Sequence, residues 1–209
     1  MKTMKTMKTK FSSRFSGIDL PLHGVRLPSF DIDDKSKRDI GLSENSSNFK
    51  FLSSLSSAAL ETIIGKKNKD YEKYKKRLNY ELKTLEDLSF VDYILLVWNV
   101  INFCKKEDIP TGLGRGSAAG SLVLFLIGVT GIDPIKHELF FERFISKTRA
   151  KKKVVDGVTY LDGSLMCDVD LDICYYNRAK VIKYLEPKEY FKDTFRITLD
   201  DVAKYEKDL

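Results

Sequence analysis

The sequence predicts an α/β (α+β) chain in which helices come first and short strands with a glycine turn follow. Three observations carry that prediction. Apolar residues recur every three to four positions between residues 49 and 108. A strand, a glycine-serine turn and an apolar helix start succeed one another over residues 109–129. Aspartates alternate with apolar residues at Asp168, Val169, Asp170, Leu171, Asp172 and Ile173. The expected organisation is a disordered tail and linker over 1–48, a helical segment over 49–108 and a site-bearing domain over 109–209.

The elements follow in order. Residues 1–48 are rich in Ser, Lys and Asp and open on a Met-Lys-Thr triplet repeat. No apolar stretch follows that repeat, so it does not read as a signal peptide. Residues 49–64 read as a helix with Ser-rich patches. Residues 69–88 read as a better one, with Tyr71, Tyr74, Leu78, Leu82 and Leu85 on one stripe. Residues 90–106 are apolar on most faces and read as a buried helix. Asp92, Asn99 and Asn102 interrupt that stretch, and the apolar run 122–129 is far shorter than the roughly 20 residues a membrane span needs. No membrane partner is therefore expected. A strand over 109–113, the glycine turn and its helix come next. Asp133-Pro134 marks a turn, and 138–145 a short helix carrying Glu142 and Arg143. Residues 151–155 and 158–161 around Asp156-Gly157 predict a hairpin. The aspartate strand, a helix over 175–185 and a strand over 194–199 complete the chain.

The aspartate stretch points to chemistry. Side chains two apart on a strand share a face, with a repeat of roughly 6.6 Å. Three like charges on one face repel, and Asp is disfavoured in strands. Cations offset that arrangement, and hard oxygen donors suit Mg²⁺ or Mn²⁺. Two such ions about 3.5–4 Å apart serve in-line phosphoryl or nucleotidyl transfer. An EF-hand loop fails, because Ile173 and Ala179 occupy its Gly and Glu positions. A solvated acidic edge strand is the bland alternative.

The glycine turn is the second signal. Gly114-Arg-Gly-Ser-Ala-Ala-Gly-Ser121 lies between a strand and a helix start. Backbone N–H groups in such a turn cradle phosphate, and Arg115 adds a cationic fork beside Gly116 and Ser117. A Walker A loop is excluded, since no Lys follows the glycines. The looser dinucleotide pattern Gly114-x-Gly116-x-x-Ala119 would place its ribose acid near Glu138, inside a helix rather than at a strand end. A tight packing turn is the alternative without function. Further on, Lys147, Arg149, Lys151, Lys152 and Lys153 form a basic run suited to a nucleic-acid backbone or to a solvated charged edge.

Composition is compatible with a polyanion partner. Lys and Arg number 36 against 30 Asp and Glu, a net charge of +6. Cys104, Cys167 and Cys174 are odd in number and lack metal-ligand spacing, which suits free thiols in a reducing, cytoplasmic compartment. His23 and His137 lie far apart, which argues against a zinc site.

Taken together, several motifs occur in register. Gly114–Ser121 is followed by Gly131-Ile-Asp-Pro134, by Leu139-Phe-Phe-Glu-Arg-Phe144 and by Asp168–Ile173. Their order resembles the DNA polymerase III alpha family of bacterial replicative, C-family DNA polymerases, over roughly residues 27–185. The resemblance implies a palm similar to polymerase beta-like nucleotidyltransferases. It implies Asp168 and Asp170 as catalytic metal ligands for two Mg²⁺ or Mn²⁺ ions, with Gly116 and Ser117 on the triphosphate. It places Arg115 and Arg143 near the incoming nucleotide, and Asp172 and Arg178 in support. Implied partners are a DNA primer–template, a dNTP, the downstream polymerase part with fingers and third aspartate, and a sliding clamp reached through that part. Two departures stand out: Cys167 replaces the family's proline, and residues 145–166 form a longer basic insert. On the resemblance, the third aspartate is expected beyond Leu209, so the isolated chain is expected to be an incomplete palm with little synthesis of its own. Asp200 and Asp201 could stand in for that carboxylate, but their sequence surroundings do not match the family's. A stand-alone small nucleotidyltransferase and a non-catalytic nucleic-acid-binding remnant are the alternative functions.

Overall fold

A computed structural model describes residues 25–26, 29–147, 152–155, 158–161 and 167–185. Helix α1 spans Asp34–Asp39, and Asp33 caps it by accepting the Ser36 N–H at 2.9 Å. Helix α2 spans Asn48–Ile63 and is capped by Ser47. Helix α3, Tyr71–Asp87, and helix α4, Val91–Lys106, meet at 112°. The bend falls at Ser89, whose φ of 61° ends α3, and the Phe90 N–H donates back to the Leu85 carbonyl. Helices α2, α3 and α4 match the expected ones to within two residues at each end.

The core forms where α2, α3 and α4 converge on the short helix α5, Leu122–Leu126. Phe51, Leu52, Leu78, Leu85, Phe90, Ile94, Leu95, Leu122 and Leu124 are fully buried there. Helix α4 also has a second partner. Val100, Cys104 and Ile109 pack with Val181 of helix α6, Arg178–Leu185. Phe103 stacks on Tyr184 with centroids 3.8 Å apart, and the Tyr184 hydroxyl donates to Asn99. An α4 apolar on most faces is thus used on most faces.

Several expectations are corrected. Residues 30–48 are not a tail. Phe30 and Ile32 are each 5% exposed, and the Asp92 carboxylate accepts from the Phe30 N–H and the Asn48 amide. Ile40 and Leu42 of the same stretch also pack against the core. The helix over 138–145 reduces to a 3₁₀ turn, Phe141–Arg143. Helix α5 stops short of Val129 because Gly128 adopts φ 73° and the Val129 N–H turns back to the Leu124 carbonyl. The expected helix over 175–185 starts as a 3₁₀ turn, Tyr175–Asn177.

The strands expected at 109–113 and 168–173 do not form a ladder. They meet in one antiparallel bridge, Thr111 opposite Ile173. The Gly112 N–H donates to the Asp172 carbonyl and the Cys174 N–H to the Pro110 carbonyl. Pro110 has no N–H to extend the pairing, and three aspartates make a poor strand. The predicted hairpin is present. Strands β2, Lys152–Val155, and β3, Val158–Leu161, pair antiparallel with Val155 opposite Val158. Strand β1, Val25–Arg26, joins the other edge of β3, giving the order β1-β3-β2. The described residues are thus predominantly helical. The strand expected over 194–199 lies outside them. Among the described residues, no single helix is long and apolar enough to cross a membrane.

Candidate functional site

The glycine turn and the aspartates face each other across the Thr111–Ile173 bridge. Close approach requires glycine at position 112, where a Cβ would lie 2.8 Å from the Asp172 Cβ. Beyond it the chain turns through Gly116, whose φ is 65°, into a 3₁₀ turn, Gly116–Gly120. A Cβ at Gly116 would stand 3.8 Å from the Asp170 carboxylate, so the turn and the second aspartate are neighbours.

A buried carboxylate underpins the turn. Glu81 of α3 is fully buried and accepts four donors. Arg77 Nε donates at 2.6 Å, the Ser121 hydroxyl at 2.9 Å, and the Leu122 and Val123 N–H groups at 3.0 Å each. The two N–H groups are orphan donors at the start of α5, so Glu81 caps that helix from another one. Burial pushes the Glu81 carboxyl up from its ordinary value, while Leu122, Val123 and Arg77 pull it down. Arg77 continues to the carbonyls of Gly120 and Leu139 and lies over the Phe141 ring. One Arg–Glu pair thereby ties the end of the glycine turn to the segment carrying Arg143.

The aspartate face is built differently. Cys167 and Val169 point inward at 4% and 8% exposure, whereas Asp168 and Asp172 are exposed. The alternation therefore holds without a strand ladder. The Val169 N–H, between Asp168 and Asp170, donates to the Tyr93 hydroxyl of α4 at 3.1 Å. Burial, with the charges of Asp168 and Asp170 nearby, pushes the Tyr93 hydroxyl up to about 12. Burial likewise pushes the Cys167 thiol up to about 12. Arg115 Nε lies 3.4 Å from the Asp170 carboxylate and 3.7 Å from that of Asp172. Among the described residues, no three His, Cys, Asp or Glu side chains converge on one point that could hold an ion. The three aspartates line a face and do not close a cage.

A cleft of about 590 Å³ opens beside the turn, with Gly116 and Ser117 on one side and Glu138, Phe140 and Arg143 on the other. The structure thus brings Gly116, Ser117 and Arg143 together, and Arg115 with Asp170 and Asp172. Arg178 opens α6 and, among the described residues, makes no ion pair with the aspartates. Lys147, the first residue of the basic run, is ion-paired to Asp87 at the end of α3. Arg149, Lys151, Asp200 and Asp201 lie outside the described residues, and Lys152 and Lys153 lie on β2.

A family model described as the bacterial DNA polymerase III alpha NTPase domain matches residues 50–198. The chain belongs to the DNA polymerase III alpha family. It is similar to DNA polymerase III subunit alpha of Aquifex aeolicus (strain VF5), 41% identical over 141 residues, which is 68% of this chain and 11% of the relative. The Bacillus subtilis (strain 168) subunit is 35% identical over 171 residues, 82% of this chain and 13% of the relative. The Chlamydia muridarum (strain MoPn / Nigg) subunit is 44% identical over 110 residues, 53% of this chain and 8% of the relative. The chain spans about a tenth of the length of the curated relatives it matches. The matched span of this family member contains α3, the glycine turn, the cleft and the aspartate face.

Sequence reasoning missed Arg77, Glu81 and Tyr93. Glu81 had a visible signal, since it sits on the apolar stripe of α3 between Leu78 and Leu85. A charge there must be paired or neutralised. Tyr93 had none, because its role depends on a segment 76 residues away.

Proposed function

We propose that this chain carries the triphosphate turn and the metal aspartates of the catalytic subunit of a replicative DNA polymerase. The reaction is template-directed transfer of a deoxynucleotide to a primer 3′-hydroxyl. The fold assignment that goes with it is the start of a polymerase beta-like palm preceded by packed helices. One observation carries the reading: the glycine turn and the aspartate segment share a bridge, with Gly116 against Asp170.

The roles are those the family resemblance implies for these positions. Gly116 and Ser117 offer backbone N–H groups and a hydroxyl to triphosphate oxygens, and Arg143 across the cleft offsets their charge. Asp168 and Asp170 are the metal ligands, and Asp172 and Arg178 support them. The donor set fits a divalent ion. The oxygens are hard and exposed, and a cation, the Arg115 guanidinium, already lies within reach of two carboxylates. Mg²⁺ or Mn²⁺ held there supplies charge neutralisation of the triphosphate and alignment of the 3′-hydroxyl. Primer–template DNA, the dNTP, the remaining polymerase segments with fingers and third aspartate, and a clamp bound through those segments are the proposed partners in the cytoplasm.

Titration with Mn²⁺ and a dNTP tests the reading. Asp168→Asn or Asp170→Asn should abolish metal binding, with Asp172→Asn milder. Equal loss at all three positions overturns the ranking. Primer extension separates the alternatives. Synthesis that needs the remaining polymerase segments supports the polymerase reading. Transfer by the chain alone, lost in Asp168→Asn, indicates a stand-alone nucleotidyltransferase. Binding of neither Mn²⁺ nor dNTP indicates a remnant.

A further inference from the structure

We propose that Arg115 decides the form in which the site takes its metal: as a complex with a triphosphate rather than as the bare divalent ion. This inference rests on the metal reading of Asp168 and Asp170 above. Its basis is that Arg115 belongs to both halves of the site. Its side chain reaches Asp170 Oδ2 at 3.4 Å and Asp172 Oδ1 at 3.7 Å. Its backbone adjoins Gly116 and Ser117, which line the cleft that Arg143 faces.

The electrostatics set a competition. A bare divalent ion approaching Asp170 meets a guanidinium already within ion-pair distance, and like charges a few ångströms apart repel. To bind, it must displace Arg115 into solvent with nothing given in return. A triphosphate changes the exchange. Its oxygens match the planar fork of the guanidinium better than two offset carboxylates do. As the side chain moves from the aspartates to the phosphates, Asp170 is released to the ion that arrives with them. The pairing is weak enough to switch. Arg115, Asp170 and Asp172 side chains are 62%, 45% and 52% exposed, and exposed pairs of this kind contribute little to stability. The exposed Arg115 side chain, with only glycines beside it in sequence, has room to move between the two partners. Linkage then requires reciprocity: triphosphate raises the affinity for metal by the factor by which metal raises the affinity for triphosphate.

The test uses the whole chain and two separate titrations. Mn²⁺ alone is followed by the loss of its free-ion paramagnetic resonance signal, and dATP alone is followed calorimetrically in the presence of chelator. Arg115→Gln should bind bare Mn²⁺ about two- to fivefold more tightly, the range expected for releasing exposed ion pairs. The same variant should bind metal-free dATP several-fold more weakly. Arg115→Lys keeps the charge and should stay near wild type for Mn²⁺. With a non-hydrolysable dNTP analogue added, Mn²⁺ affinity should rise more in wild type than in Arg115→Gln. Unchanged or weaker Mn²⁺ binding by Arg115→Gln overturns the inference while leaving the metal site standing. A wild-type chain that binds no Mn²⁺ even with the dNTP analogue present, or that then binds it no better than Asp170→Asn does, overturns the metal reading and this inference with it.

Discussion

Two groups of carboxylates lie on opposite sides of the glycine turn and are treated in opposite ways. Glu81 is fully buried, and four donors are directed at it. Asp168, Asp170 and Asp172 stand at the surface, where Arg115 lies at ion-pair distance from two of them. The buried group is committed to scaffolding: it holds α5 to α3 and has no capacity left for a ligand. The exposed group keeps its oxygens accessible to a ligand, and its geometry is set by the backbone behind it. In this fold the carboxylate with the most partners is structural, and those with the fewest are the candidates for chemistry.

The largest expected effect strikes the buried side. Glu81→Ala leaves the Arg77 charge, the Ser121 hydroxyl and two N–H groups without their acceptor. Removing one partner of a buried pair costs about 3–5 kcal/mol. Denaturant unfolding should show that loss, and a change under about 1 kcal/mol would break the comparison. Gly112→Ala comes next. Its Cβ would meet that of Asp172 at 2.8 Å, so the bridge must open, at about 1–3 kcal/mol for overpacking. Metal affinity should fall in parallel, because the turn and the aspartates separate.

Tyr93→Phe is smaller and sharper. It removes the acceptor of the Val169 N–H and keeps the ring packed edge-on against Phe90, at about 0.5–1.5 kcal/mol. The informative readout is Mn²⁺ affinity, which should drop several-fold if the hydroxyl fixes the peptide between the two aspartates. The same side chain gives a pH dependence. The Cys167 and Tyr93 groups rise from 9.0 and 10.0 to about 12 on folding, so the fold favours their neutral forms. Their contribution is fully present below pH 9 and is lost as pH rises through about 12. Unfolding midpoints should decline across that window, less steeply above pH 10 in Tyr93→Phe. The smallest effect is on the exposed side: Asp170→Asn should alter stability by no more than about 0.5 kcal/mol, although it abolishes metal binding. A loss like that of Glu81→Ala would mean that Asp170 is scaffold too.

Much of this architecture is legible in the sequence. Helices α2, α3 and α4 announced themselves by the spacing of residues such as Tyr74, Leu78, Leu82 and Leu85. The hairpin followed from Asp156-Gly157 between β-prone runs. Alternation alone placed Asp168 and Asp172 outward and Val169 inward. Other features were not readable. The burial of Phe30 and Ile32 depends on Asp92 and Asn48, and the fate of Lys147 on Asp87.

The division has a physical cause. Periodicity, turn residues and local charge are properties of neighbours along the chain, so the sequence by itself determined the elements, the two faces of the aspartate segment and the glycine turn. Pairing between distant segments depends on which groups arrive at the same place with matching donors and acceptors. Tertiary structure alone decided that Glu81 would cap a helix 41 residues away, that Tyr93 would hold the peptide between two aspartates, and that the Arg115 side chain would reach Asp170 and Asp172.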